Sequence, residues 1–228
     1  MLNRLVCLLI ISCLPVLTAQ TGLATQNSTT PKSLLFDKAP TTLSSVDVLP
    51  QWRRVIEDYA LIQSLPPSNR VTAWNRFIDS VQHDLPVRQI LKVNLWFNGY
   101  PYKQDNWLYD RNDHWATPTE FLQTGGDCED YAIIKYLTLR RLGFAAATMR
   151  IVMVYDVFSG TDHAFLTVRH DGEIYVLDNR DGRTIEAHYV DRYKPHYAFN
   201  EHDLWTYERP VMVETLRDDQ QDVLTGNR

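Results

Sequence analysis

Cysteine is scarce in this chain: three in 228 residues, two of which, Cys7 and Cys13, fall in an apolar N-terminal run. No set of Cys and His has the spacing of a zinc module, so a metal-stapled fold is excluded. Nor is there a phosphate-cradling glycine loop or an internal repeat, which removes the common nucleotide-binding and solenoid classes. Positive charge is not in excess: 23 Lys and Arg stand against 28 Asp and Glu, a net charge of −5. A general nucleic-acid binder usually carries a basic face, and none is evident. After the first run no apolar stretch is long enough to span a membrane. The remainder, 44% hydrophobic and 22% charged, has the balance of a globular chain. Its length suits one domain with a sizeable core.

Residues 1–19 have the pattern of an export signal. Arg4 supplies the positive start, Leu5 to Leu17 is almost continuously apolar, and Ala19 precedes a polar stretch from Gln20. Ile10-Ile11-Ser12-Cys13 also fits a lipoprotein cleavage box, so a lipid-anchored form is the alternative. Cleavage near Ala19 would leave Cys128 as the one cysteine. A single thiol in an oxidising compartment has no intrachain partner and is a candidate nucleophile or an intermolecular pairing site. An inert buried Cys is the alternative.

Residues 20–48, rich in Thr, Ser and Pro, read as a loosely ordered extension. A domain then spans 49–213, followed by a polar tail over 214–228. Trp52, Val55, Ile56, Tyr59, Ile62 and Leu65 recur at helical steps until Pro66-Pro67. A second helix opens at Ser68-Asn69 and stops before Pro86, and a third covers Val87 to about Phe97. Tyr100 to Trp115 reads as an aromatic loop bordering a cleft. Thr117-Pro118-Thr119-Glu120 fits a capping box with proline at the first helical position. Strands are expected over Met149–Phe158, His163–His170 and Glu173–Asp178, and the segment through Leu204-Trp205 packs back on the sheet.

The chain centres on Gly125-Gly126-Asp127-Cys128-Glu129-Asp130-Tyr131. The glycines permit a tight turn, and a helix from Cys128 to Gly143 places the thiol at its N-terminus, where the dipole favours thiolate. An apolar stripe on that helix should face a sheet. Asp127, Glu129 and Asp130 oppose the thiolate, and a hard cation with oxygen ligands would offset them. Helix N-terminal capping is the alternative for these carboxylates. Asp171-Gly172 predicts a two-residue hairpin whose paired residues have numbers summing to 343. That register makes His163 and Asp178 diagonal neighbours on one face, within side-chain reach. Cys128, His163 and Asp178 thus supply a nucleophile, a base and a group that orients it. Trp115 is a candidate for the cleft or oxyanion wall. His83, His114, His170, His188, His196 and His202 read as surface or packing residues.

Trp115-Ala116-Thr117-Pro118, Glu120-Phe121-Leu122 and the Gly-Gly-Asp-Cys-Glu-Asp-Tyr run resemble the bacterial transglutaminase-like cysteine proteinases. Asp162-His163-Ala164, Val176-Leu177-Asp178-Asn179 and Tyr197-Ala198-Phe199-Asn200 extend the resemblance. It implies an α+β fold, a papain-like core cut down to its transglutaminase form, with a helical lobe on an antiparallel sheet. It also implies a periplasmic, calcium-dependent endopeptidase with ligands at Asp127 and Glu129, Asp130 being a further candidate. The implied substrate is the N-terminal region of a large surface adhesin, cut at a paired-alanine site to promote biofilm dispersal. The implied regulator is an inner-membrane cyclic di-GMP receptor. A transglutaminase or amidase using the same triad, and a non-catalytic calcium-binding adaptor, are the competing classes.

Overall fold

The computed structural model describes residues 40–180, 185–186 and 192–207. The export segment, most of the extension and the C-terminal tail, as well as His188, lie outside them. Among the described residues no helix is long and apolar enough to cross a membrane.

Helices form where the apolar spacing places them, with local chemistry setting their ends. Helix α1 (Pro50–Ser64) starts on a proline, whose missing N–H costs nothing in a first turn. Helix α2 (Asn69–Val81) is capped by Ser68, whose hydroxyl accepts the Val71 N–H at 3.3 Å. Helix α3 (Pro86–Asn98) again opens on proline. A single turn, α4 (Asp105–Leu108), interrupts the segment expected to be loop. Helix α5 (Pro118–Thr124) carries the expected capping box: the Thr117 hydroxyl accepts the Glu120 N–H at 3.3 Å, and Glu120 Oε2 accepts the Thr117 N–H at 2.7 Å.

Helix α6 (Cys128–Arg141) differs from the one-sided stripe expected of it. Every residue from Glu129 to Leu139 is buried. The helix packs on the sheet along one side while α3 and α5 cover the other, so no face is left for solvent. Thr138 and Lys135 are therefore sealed from solvent. Thr138 bonds the Ile134 carbonyl at 2.7 Å and accepts the Trp74 indole N–H at 2.9 Å. Among the described residues Lys135 has no hydrogen-bond partner for its ammonium, which lies 5.5 Å from the Tyr131 ring. Burial pulls its pKa down to about 7, against the opposing charge of Asp178.

Among the described residues the sheet has seven antiparallel strands: β1 (Thr41–Ser45), β2 (Met149–Asp156), β3 (Thr161–His170), β4 (Glu173–Leu177), β5 (Ile185–Glu186), β6 (Tyr193–Phe199) and β7 (Asp203–Thr206). Their order is β1-β7-β6-β2-β3-β4-β5. Two features depart from the sequence reading. Thr41–Ser45, assigned there to the extension, forms the edge strand by pairing with β7. The backbone ladder, which is blind to side-chain composition, orders this Thr- and Ser-rich segment. The segment expected only to pack back on the sheet supplies two strands, and β6 pairs with β2 inside it.

The β3–β4 hairpin has the expected register, with His170 opposite Glu173, Arg169 opposite Ile174 and Leu166 opposite Leu177. Asp171 and Gly172 both have positive φ, 50° and 84°, the turn that fits the twist of a two-residue hairpin. Alternation divides each strand between two cores. Ile151, Leu166 and Val168 join the large core with α1, α2, α3, α5 and α6. Val152, Val154, Phe165, Val176 and Ala198 form a smaller one on the opposite face.

Candidate active site

The turn entering α6 needs both of its glycines. Gly125 has φ of 78°, and a Cβ there would stand 2.0 Å from the Pro101 carbonyl oxygen. At Gly126 a Cβ would meet Asp130 Oδ2 at 2.0 Å. Asp130 is fully buried and ties the elbow together: Oδ1 accepts the Ala116 N–H at 2.6 Å, and Oδ2 accepts the Asp127 N–H at 3.1 Å. Gly126→Ala is therefore expected to destabilise the fold by about 3 kcal/mol or more, since the carboxylate and two backbone donors would have to move together. Chemical denaturation checks it; a loss below about 1 kcal/mol would show that the elbow can relax.

Cys128 is the first residue of α6, so the unpaired N–H groups of a helix start surround it. Its thiol donates to Glu129 Oε2 at 3.3 Å. Burial pushes the thiol pKa well above its usual range, and the charges of Glu129 and Asp127 add to that; the Ala164 backbone N–H works the other way. The helix start alone therefore does not produce a thiolate here.

His163 and Asp178 meet as the hairpin register requires. His163 Nε2 lies 2.9 Å from Asp178 Oδ1, and both side chains are buried. Burial raises the Asp178 pKa, but the bonds from His163, the Arg180 N–H and the Tyr193 hydroxyl more than reverse it, leaving the group below its ordinary value. Among the described residues His163 Nδ1 has no hydrogen-bond partner. Cys128 and His163 line one open cleft of about 610 Å3, shared with Trp115, Tyr102, Asp105, Asp127, Glu129, Met153, Asp162, His196 and Tyr197. The sulfur rests on Glu129 in this structure.

Trp115 is a wall of this cleft. It is stacked on Phe199 at 5.0 Å and 11°. Its indole N–H goes to Asp113 Oδ1 at 3.1 Å and its backbone N–H to Gln51 Oε1 at 2.9 Å. With both donors engaged, it supports the wall and offers no free N–H to an oxyanion.

Comparison with known proteins places this geometry. Residues 73–207, more than half of the chain, match the family model of the bacterial transglutaminase-like cysteine proteinase. The chain belongs to this family. A search of curated protein sequences gives no match. Among solved structures it is similar to Legionella pneumophila LapG, at 32% identity and a TM-score of 0.55 over 72% of this chain and 92% of that one. Calcium-bound LapG from the same organism matches at 32% identity, TM-score 0.55, over 73% and 98% of the two chains. The EGTA-treated form matches at 33% identity, TM-score 0.55, over 75% and 88%.

A LapG-like proteinase fold with a calcium-bound neighbour directs attention to the acidic cluster. Carboxylate oxygens of Asp105, Asp127 and Asp130 lie within 4.8 Å of one another, as do those of Asp105, Asp113 and Glu129. Asp105 Oδ1 and Asp127 Oδ1 are buried without a hydrogen-bond partner among the described residues. Burial, and then the charge of Asp127, raises the Asp105 pKa to about 7. Glu129 and Asp130 are pushed well above the usual carboxylate range, first by burial and then by charge, from Asp130 and Asp127 on Glu129 and from Asp127 and Asp105 on Asp130. Orphaned carboxyl oxygens massed at this density fit a hard divalent cation, whose charge would favour their ionised form. The sequence reading named Asp127, Glu129 and Asp130. Asp130 proves to be a backbone brace as well, and Asp105 and Asp113 join from the aromatic loop, which the same reading had put at a cleft edge. Asp105 is buried and accepts the His114 N–H at 2.5 Å, a role that no spacing in the sequence signals.

The remaining histidines divide. His114 is a packing residue, 3.0 Å from Arg54 and 3.3 Å from Glu120. His170 pairs with Asp171 at 3.4 Å beside the hairpin turn. His196, read from sequence as surface or packing, lines the cleft 3.4 Å from Asp162. Its position depends on β6 entering the middle of the sheet, a long-range pairing with no local signature.

Proposed function

We propose that the chain is a calcium-dependent cysteine endopeptidase in which Cys128 is the nucleophile, His163 the base and Asp178 the residue that orients it. The observation carrying this reading is the buried His163–Asp178 pair, whose imidazole lines the same cleft as a cysteine at a helix start in a proteinase-family fold. Because Asp178 occupies Nε2, the nitrogen left for the nucleophile is Nδ1, the unpartnered one.

In the working state the thiol gives up Glu129 and passes its proton to Nδ1. The sulfur attacks the peptide carbonyl carbon, and the N–H groups at the start of α6, that of Cys128 among them, receive the oxyanion. The imidazolium returns its proton to the leaving amine. A water deprotonated by His163 then hydrolyses the thioester and frees the thiol. Asp178 stays ionised throughout and stabilises the imidazolium. Asp105, Asp127 and Glu129 would hold the calcium ion, with Asp113 and Asp130 beside them. When bound, it supplies the positive charge that this cluster lacks.

On the family resemblance we extend the proposal to a periplasmic enzyme that cuts the N-terminal region of a large surface adhesin and is restrained by an inner-membrane cyclic di-GMP receptor. The test incubates the chain from residue 20 with such an adhesin fragment and weighs the products. Two fragments whose masses sum to the substrate plus one water support hydrolysis. A single heavier product would mean acyl transfer to an amine and would replace this reading with a transglutaminase.

A further inference from the structure

Around Asp178 the bonds are unevenly distributed. Oδ1 takes two of them, from His163 Nε2 at 2.9 Å and from the Arg180 N–H at 2.8 Å. Among the described residues Oδ2 takes one, from the Tyr193 hydroxyl at 3.0 Å. A carboxylate rotates about its Cβ–Cγ bond, and bonds confined to one oxygen do not fix its plane. The hydroxyl on the other oxygen does. The Tyr193 ring also packs on the imidazole, with centroids 5.7 Å apart, and on Phe165 at 5.3 Å. Tyr193 thus touches both members of the pair while lying outside the residues that line the cleft.

The tyrosine is itself anchored. It stands opposite Asp156 in the β2–β6 ladder. Asp156 is fully buried, and both of its oxygens accept from the Arg192 guanidinium; Arg180 Nη1 adds a bond at 2.7 Å. One carboxylate therefore grips the residue before Tyr193 and the side chain of the residue whose N–H reaches Asp178. The Arg192 guanidinium also lies 5.1 Å from the Tyr193 ring. Burial and the neighbouring Asp178 hold the phenol far above its usual pKa, so it remains a donor at any working pH.

We propose that Tyr193 is a positioning residue for the catalytic pair: its hydroxyl fixes the Asp178 plane and so keeps His163 Nδ1 directed at the cleft. The inference rests on the assignment of Cys128, His163 and Asp178 made above. Tyr193→Phe keeps the ring and removes the bond. It is expected to lower kcat about tenfold or more, with KM within about twofold and a thermal midpoint within about 2 °C of the unsubstituted chain. In an Asp178→Ala background, where the acceptor is gone, adding Tyr193→Phe should alter the residual cleavage rate by less than about twofold. An unchanged kcat in the single variant overturns the inference, as does an equal loss in both backgrounds. So does a midpoint more than about 5 °C lower, or failure to fold, because the hydroxyl would then serve the fold. Cys128→Ala in the same assay separates two failures. If it still cleaves, the triad assignment falls; if it is inactive while Tyr193→Phe is fully active, only the positioning role falls.

Discussion

Cys128→Ala is expected to lower the cleavage rate by about 10^3-fold or more, with the fold intact. Removing a nucleophile takes away the covalent route, and the remaining groups of a triad act through it. The structural cost is small by contrast. Position 128 is the first of α6, where alanine is a good helix former, and the bond lost is a 3.3 Å thiol contact to Glu129. That contact carries a second expectation. In chelator the thiol is held protonated by burial and by Glu129 and Asp127, so iodoacetamide should react slowly. Calcium should speed alkylation by about tenfold or more as those charges are neutralised. A Cys128→Ala chain that cleaves normally would leave the adaptor reading, or another nucleophile, in its place.

Calcium removal is expected to be the next largest effect. The carboxylates of Asp105, Asp113, Asp127, Glu129 and Asp130 form overlapping clusters, and those of Asp127 and Glu129 lie beside the thiol. Without a cation, burial and the charge of Asp127 raise the Asp105 pKa, so the folded chain holds a proton there that the unfolded chain releases. Asp105 shows the window, with a folded pKa of about 7 against an unfolded value near 4. A carboxyl raised in this way binds more protons folded than unfolded between those limits. Its contribution to stability is greatest below about pH 4 and is lost as pH rises through about 7. The chelated chain should therefore show a falling contribution from this cluster as pH rises from about 4 to 7, and saturating calcium should flatten that fall and raise the midpoint. Asp105→Asn should weaken the calcium response, which calcium titration of the thermal midpoint reads directly. A midpoint indifferent to calcium at pH 7 would reduce the acidic residues to capping and bracing.

What the sequence discloses follows the range of the forces involved. The His163–Asp178 contact was legible because Asp171-Gly172 dictates a two-residue turn, and a turn fixes a register over the ten residues beside it. Ser68 and Thr117 marked helix starts for the same local reason. Strand β1 was hidden because Thr41–Ser45 has no apolar alternation, and its order comes from the β7 backbone more than 150 residues away. The placement of β6 beside β2 was equally non-local, and with it went His196 and Tyr193. Asp105 and Asp113 could be seen as acidic residues in a cleft-bordering loop, but their approach to Glu129 depends on how that loop lies across the elbow. The continuous burial of α6 was missed because its sequence mixes Lys135 and Thr138 with apolar residues, and only three-sided packing explains both.

The most direct test of the calcium-dependent nucleophile is a single mass-spectrometric experiment on an adhesin N-terminal fragment. The chain from residue 20 is incubated with it in calcium, in chelator and as Cys128→Ala in calcium. Two product fragments in the first reaction and intact substrate in the other two are the expected result. Equal cleavage in all three reactions would contradict both the nucleophile and its dependence on the metal.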